Sequence, residues 1–424
     1  MIQMYPKAAV LTNRHPFGGT EMMAQSLANA LNAHGYDTHV VNIEDRSFES
    51  LRGLLNDPTL ALIITTGTPP LQVQLNGVPL WRAVPPHVQF ITYIIDAWPY
   101  DFVRVEACRQ FIADWQHMPN LHVAAVEAND ARLIGQRAHY FPTGPYPAPR
   151  RRGPKQHPQR LLIWGSANKE LAVTPVHSEF EATLAANNAW GLDAARLTQV
   201  AEALRHTEIV HGLSAIAAAL GETVEALVQP AALTPLCAID SCLKRYRRVK
   251  VAQALKGLPV DIYGENWGQH VGDVASFRLL TPEPNHNHAF SHICQQYAGL
   301  VNFDPNFGHG TNERAVTALA LGIPIANNFN LRTDHLTGCI PYHFSDASIR
   351  HAAERVLGYC GEVPLPAGNT WEYLIGQLLA EIAAQADATE PAALTPTAPP
   401  TPPASTRPAA RPAHASALGA ARAF

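Results

Sequence analysis

Charge is scarce in this chain. Asp, Glu, Lys and Arg make up 16% of its 424 residues, and a formal net charge of −4 gives no reason to expect a nucleic-acid partner. Long apolar runs are missing as well: none reaches the roughly 20 residues of a membrane-spanning helix. Peripheral attachment to a membrane is left open. Cysteine is sparse and scattered, at Cys108, Cys237, Cys242, Cys294, Cys339 and Cys360, with no CxxC pair. Reduced thiols in a cytoplasmic protein are the simplest reading. The opening residues, Met1 to Lys7, lack the charged-then-apolar layout of a secretory signal. What the chain does have is a 47% apolar fraction, enough for the cores of two α/β domains.

The first 150 residues alternate strand and helix patterns. Ala8 to Leu11 is a short strand, and a loop with Gly18 and Gly19 follows. Met22, Leu27, Ala30 and Leu31 then recur at helical spacing until Gly35 stops the run. Further strands are expected at 38–43, 60–64, 88–95, 123–126 and 139–141. Strands separated by helices imply a parallel, doubly wound sheet. Ligands bind beyond the carboxyl ends of such strands, which draws attention to residues 13–20, residues 65–68 and Asp96.

A proline-rich basic segment around 149–160 is expected to link domain 1–148 to a second domain, 161–386. Its arginines suit either a solvated hinge or a phosphate contact. The second domain opens with strand 161–164 running into Gly165-Ser166. A helical stretch at about 178–227 is too long for a simple crossover and is expected to be an insertion. A basic amphipathic helix at 243–255, a strand at 260–263 and a late helix at 371–384 follow. From 387 to 424 the chain is mostly alanine, proline, threonine and serine, a composition that predicts a disordered tail.

The most informative stretch is 300–330, LVNFDPNFGHGTNERAVTALALGIPIANNFN. It reads as buried strand, glycine-bearing loop, helix and buried strand. A helix that opens after His309-Gly310-Thr311-Asn312 points free backbone N–H groups into that loop, which suits a phosphate. An ordinary helix cap by Thr311 or Asn312 is the competing reading.

These motifs in this order resemble a GT-B glycosyltransferase. Phe17-Gly18-Gly19-Thr20-Glu21 looks like the glycine loop where such enzymes let acceptor and donor approach the backbone. Val260 to Trp267 (VDIYGENW), the NFGHGTNER segment and Ala320-Leu321-Gly322-Ile323-Pro324 resemble the second domain of the spore-maturation-protein-like (CgeB/YkvP) glycosyltransferases. The resemblance implies two Rossmann-like domains facing across a cleft, with a helical insertion in the second. It also implies a nucleotide-diphosphate sugar as co-substrate, a hydroxyl acceptor (glycan, lipid, protein or small molecule) and no metal ion.

On that basis the donor would be held by Gly165, Ser166, Tyr263, Gly264, Trp267, His309, Gly310, Thr311, Asn312 and Glu313. One arginine, Arg247 or the adjacent Arg248, would assist, with Lys169 as a further source of charge. Many retaining members carry two glutamates where His309 and Thr317 stand here, which makes Glu313 the ribose candidate. Gly18, Gly19 and Thr20 would face the acceptor. Asp96 is the candidate general base, equally readable as a turn cap before Trp98-Pro99, and His15 is a weaker catalytic candidate that reads more readily as a surface residue. Tyr263 suits core packing as well as it suits stacking on the donor. His286, His288 and His292 have spacing a metal could use, but no convincing ligand set completes them. The sugar, nucleotide base, acceptor and stereochemical outcome stay open. So do an epimerase-like reaction and a non-catalytic binding role.

Overall fold

The structure is a computed structural model. It describes residues 5–14, 19–45, 48–95, 98, 105–146, 148, 150, 153–167, 176–272, 274–280, 286–303, 308–364 and 367–389. Among them, no helix is long and apolar enough to cross a membrane.

Two six-stranded parallel sheets organise the chain. The first contains β1 (Lys7–Thr12), β2 (Asp37–Asn42), β3 (Leu60–Thr66), β4 (Gln89–Ile94), β5 (Leu121–Ala125) and β6 (His139–Tyr140). Their order across the sheet is β2-β1-β3-β4-β5-β6. The central strands are apolar on both faces, as a sheet covered on both sides requires. Between β1 and β2 runs α1 (Gly19–Ala33), which buries Met23, Leu27 and Leu31 on one face. It ends before Gly35, whose φ of +86° suits a residue without Cβ. Helices α2 (Phe48–Leu55), α3 (Leu80–Ala83), α4 (Glu106–Trp115) and α5 (Ala128–Ile134) make the later connections.

The second sheet contains β7 (His157–Trp164), β8 (Val260–Tyr263), β9 (Phe277–Leu280), β10 (Tyr297–Val301), β11 (Ile325–Asn328) and β12 (Cys339–Tyr342). Its order is β9-β8-β7-β10-β11-β12, the Rossmann order in which the chain reverses direction across the sheet beside the first strand. A crevice therefore opens beyond the ends of β7 and β10. Strand β7 begins at His157, so the last residues of the expected linker are already sheet.

The expected insertion is a helical layer of α6 (Val176–Ala186), α7 (Ala194–His206), α8 (Gly212–Leu220) and α9 (Val224–Leu227). It packs on the start of α10 (Leu233–Ala254) around its own core, including Phe180, Leu204, Ile216 and Leu236. The helix expected from 243 thus starts ten residues earlier and first serves the insertion. Short α11 (Gly268–Val271), α12 (His286–Cys294), α13 (Glu313–Ala320) and α14 (Asp346–Leu357) complete the second domain.

The last helix, α15 (Trp371–Thr389), follows the second domain in sequence but packs on the first. Its Trp371, Leu374, Ile375 and Leu378 share a core with Val10, Met23, Leu27 and Phe141. A Cβ at Gly144 would stand 2.8 Å from the Trp371 ring, so glycine makes that approach feasible. Residues 390–424 of the expected tail lie outside the described residues.

The carboxyl ends of the two sheets face each other. Thr143, just past β6, and Thr311, just before α13, exchange hydrogen bonds across the boundary. Tyr146 N donates to Thr317 Oγ1 at 2.8 Å, and the Tyr140 hydroxyl donates to the His309 carbonyl. Two Rossmann-like domains meeting at their strand ends are the GT-B arrangement expected from the sequence.

Candidate functional site

A pocket lies at the switch point of the second sheet. Ile163, Trp164, Gly165, Arg248, Val251, Trp267, Val301, Phe303 and Arg314 line it. Its shape depends on two glycines at neighbouring strand ends. A Cβ on Gly264 would stand 2.2 Å from the Gly165 carbonyl oxygen, so the loops after β7 and β8 touch. Gly165 has φ +133°, and its own Cβ would meet Arg314 Nη1 at 2.9 Å. Trp267 Nε1 donates to the Gly165 carbonyl at 2.7 Å, and Glu265 N donates to Ser166 Oγ at 3.1 Å. The turn after β7 is thereby held from three sides.

Two guanidinium groups converge on that turn. Arg314 Nη1 donates to the Trp164 carbonyl at 2.6 Å, and Arg248 Nη1 to the Ser166 carbonyl at 2.5 Å. Burial pulls the Arg248 pKa down to about 10, and the positive charge of Arg314 acts in the same direction. Among the described residues Arg248 has no carboxylate partner. Arg314 lies 3.7 Å from the Glu313 carboxylate. A desolvated guanidinium without an acid favours an anion, because the anion would restore the charge balance that burial removed.

The adjacent Arg247 points elsewhere. It is fully buried, donates to the carbonyls of Val210 (2.8 Å) and Ile209 (2.6 Å), and stacks over Phe344 at 4.7 Å. Burial lowers its pKa to about 10 too, but two carbonyls and an aromatic face hold it. The donor role expected of Arg247 is corrected by this geometry: Arg248 lines the pocket and Arg247 joins the insertion to the domain. Lys244 pairs with Asp240 at 3.0 Å.

The loop from His309 to Asn312 also differs from expectation. His309 N and Gly310 N do bind an anionic oxygen, but it is Glu127 Oε2 of the first domain, at 3.0 and 2.8 Å. Thr311 is buried against Thr143, and Asn312 caps α13 by accepting from Arg314 N at 2.8 Å. Of the amides expected to hold a phosphate, that of Gly310 is therefore engaged in the domain contact. Thr317 likewise spends its hydroxyl on Tyr146 N. Glu313 stands at the boundary. Burial raises the Tyr93 and Tyr146 hydroxyls well above their ordinary pKa, and the negative charge of Glu313 adds to both.

Of the other expected residues, Trp267 lines the pocket. Tyr263 lies beneath it, stacked on Trp164 with ring centroids 4.1 Å apart. Gly264 shapes the pocket by contact rather than by facing it. Gly19 and Thr20 open α1 beyond β1, where Thr20 Oγ1 donates to the Asn13 carbonyl at 2.9 Å. His15, Gly18, Asp96 and Lys169 lie outside the described residues, as do the side chains of His286 and His288. Among the described residues no group of three or more His, Cys, Asp or Glu could hold a metal ion.

Sequence reasoning missed Glu127 and Arg314 as site residues. Arg314 was visible inside the NER triplet. Glu127 is the charged residue that directly follows the apolar run Val123 to Val126, at a strand end.

No protein-family model and no curated protein matches this chain. Solved structures are similar to it over most of its length. AviGT4, a glycosyltransferase involved in avilamycin A biosynthesis, is 12% identical with a TM-score of 0.47, over 91% of this chain and 99% of that one. The glycosyltransferase SnogD from Streptomyces nogalater is 12% identical with a TM-score of 0.32, over 88% and 99%. UGT89C1 from Arabidopsis thaliana, complexed with UDP-L-rhamnose, is 9% identical with a TM-score of 0.36, over 90% and 100%. All three scores are below 0.5, so the fold rests on the two sheets of this chain and the site on its own geometry.

Proposed function

We propose that the chain is a glycosyltransferase that moves a sugar from a nucleotide-diphosphate donor to a hydroxyl acceptor between its two domains. One observation carries this reading. Arg248 and Arg314 meet at the switch point of a Rossmann-ordered sheet, and Arg248 has no acid partner among the described residues. In the proposed reaction the bond between the anomeric carbon and the terminal phosphate oxygen breaks. The acceptor oxygen bonds to that carbon and gives up its proton, and the diphosphate leaves with its negative charge. Two guanidinium groups fixed in an aromatic pocket stabilise that charge without reorganising. Trp267 and Phe303 supply apolar walls beside them. Asp96 keeps the general-base role expected from the sequence. The narrower kinship with the spore-maturation-protein-like enzymes is proposed on the quoted motifs alone.

The test is calorimetric titration with UDP, dTDP, GDP and ADP, followed by turnover of the matching nucleotide sugars. At least one diphosphate should bind, and Arg248→Ala should weaken it at least about tenfold, or 1.4 kcal/mol. Binding of none of the four, or binding indifferent to Arg248, overturns the reading. Asp96→Asn should nearly abolish transfer at similar donor affinity; an active variant removes Asp96 from the base role.

A further inference from the structure

The Glu127 carboxylate is fully buried at a junction of three parts of the chain. Its Oε2 takes the amides of His309 and Gly310. Its Oε1 takes Asn129 N at 3.2 Å and Asn129 Nδ2 at 2.8 Å. One turn further along α5, Asp130 Oδ1 lies 3.1 Å from His211 Nε2 of the insertion. The contact with the loop is close throughout: a Cβ at Gly310 would stand 2.4 Å from the Val126 carbonyl oxygen. The Gly310 carbonyl is held in turn by Asn330 Nδ2 at 2.7 Å. Two residues later Asn312 caps α13 and accepts from both Arg314 N and, at 3.3 Å, Arg314 Nε. Hydrogen bonds at Gly310 and at Asn312, joined by two residues of backbone, thus link the first domain to a guanidinium in the pocket.

We propose that Glu127 is a positioning residue: from the first domain it grips the 309–312 loop of the second and so sets Arg314 for the diphosphate. Burying a carboxylate is costly, and a neutral side chain could satisfy only one of its two donor sets. The charge has a second consequence. The groups facing Glu127 are Asp130 on its own helix, His211 from the insertion with Asp240 of α10 behind it, Tyr140 from β6, and His309 on the loop. Protonated His211 offsets the two first-domain carboxylates. When it loses its proton, Glu127 and Asp130 repel each other across a buried site, and the grip on the loop weakens. The insertion thereby senses and tunes the pocket.

The inference rests on the glycosyltransferase reading, and the experiment separates the two. The full chain, Glu127→Ala and Glu127→Gln are titrated with the tightest-binding of the four nucleotide diphosphates, at several pH values between 5.5 and 8.5. Hydrogen exchange is followed at the His309 and Gly310 amides. Glu127→Ala should speed exchange at both amides and raise Kd about tenfold or more. Glu127→Gln, which keeps the size and one acceptor, should fall between. The ratio of its Kd to that of the unaltered chain should narrow as pH rises, a trend that a merely structural role would not produce. If the unaltered chain binds no diphosphate, both readings fall. If it binds and the Glu127 variants bind equally well at every pH, only the positioning role is overturned.

Discussion

The hydroxyl of Thr143 donates to the carbonyl of Thr311 at 2.5 Å, and the hydroxyl of Thr311 donates to the carbonyl of Thr143 at 3.1 Å. Both residues are buried, so this reciprocal pair joins two domains where water is excluded. Thr143→Val keeps the shape but orphans the Thr311 carbonyl, at a cost of about 1–3 kcal/mol. Thr311→Val should cost a similar amount. Since each bond secures the other, the double variant should lose less than the sum of the two. Urea unfolding of the three variants checks this, with strict additivity as the contrary result.

Arg247 and Arg248 are neighbours with opposite expected behaviour. Arg247→Met leaves the buried Val210 carbonyl and the Ile209 carbonyl without this donor and removes the stack on Phe344, so it should destabilise by about 2–4 kcal/mol. Its effect on nucleotide affinity in the folded fraction should be small. Arg248→Met should give the reverse: a modest change in unfolding midpoint and a large loss of nucleotide affinity. Thermal melting and calorimetry on both variants decide it. Equal effects in both assays would mean the two side chains share one role.

Gly264 is expected to tolerate no side chain. A methyl group there would stand 2.2 Å from backbone oxygen and 2.9 Å from Ser166 N, not from a movable side-chain tip. Gly264→Ala must therefore push the β7 and β8 turns apart, costing about 1–3 kcal/mol as overpacking does elsewhere. Trp267 Nε1 and both arginines hold on to that same turn, so nucleotide affinity should fall as well. Gly268→Ala is the control: its Cβ would meet only Leu279 Cδ1, at 3.8 Å.

The architecture was legible because buried parallel strands leave a strong apolar signal. Strand Val260–Tyr263 lies where its sequence placed it. Strands β9 and β12 were not expected. Each is a sheet edge, where solvent-facing chemistry interrupts the pattern: Arg278 reaches back to Asp261 in one, and Pro341 sits in the other. The pocket's glycines and Trp267 could be anticipated because strand ends and small residues mark close approaches. The choice between Arg247 and Arg248 could not. Successive helical residues point about 100° apart, and only packing fixes which of them meets the sheet. Glu127 was still less accessible, because its partner His309 is 182 residues away. A loop that looked ready for an external anion had already been given one by the other domain.

Stability near neutral pH should depend on His211. Burial, the largest influence, lowers its pKa, yet the bond to Asp130 and the charges of Asp130, Glu127 and Asp240 together raise it above its ordinary 6.5. A histidine whose folded pKa is raised adds stability that is fully present below the unfolded value and is lost as pH rises through the folded one. The unaltered chain should therefore lose part of its margin above pH 6.5, apart from changes due to other groups. His211→Gln isolates the effect, because the amide can still donate to Asp130 but carries no titrating charge. The difference in unfolding free energy between the two proteins should be largest near pH 5.5 and shrink steadily toward pH 8.5. A difference that stays constant with pH would show that His211 contributes packing and hydrogen bonding alone.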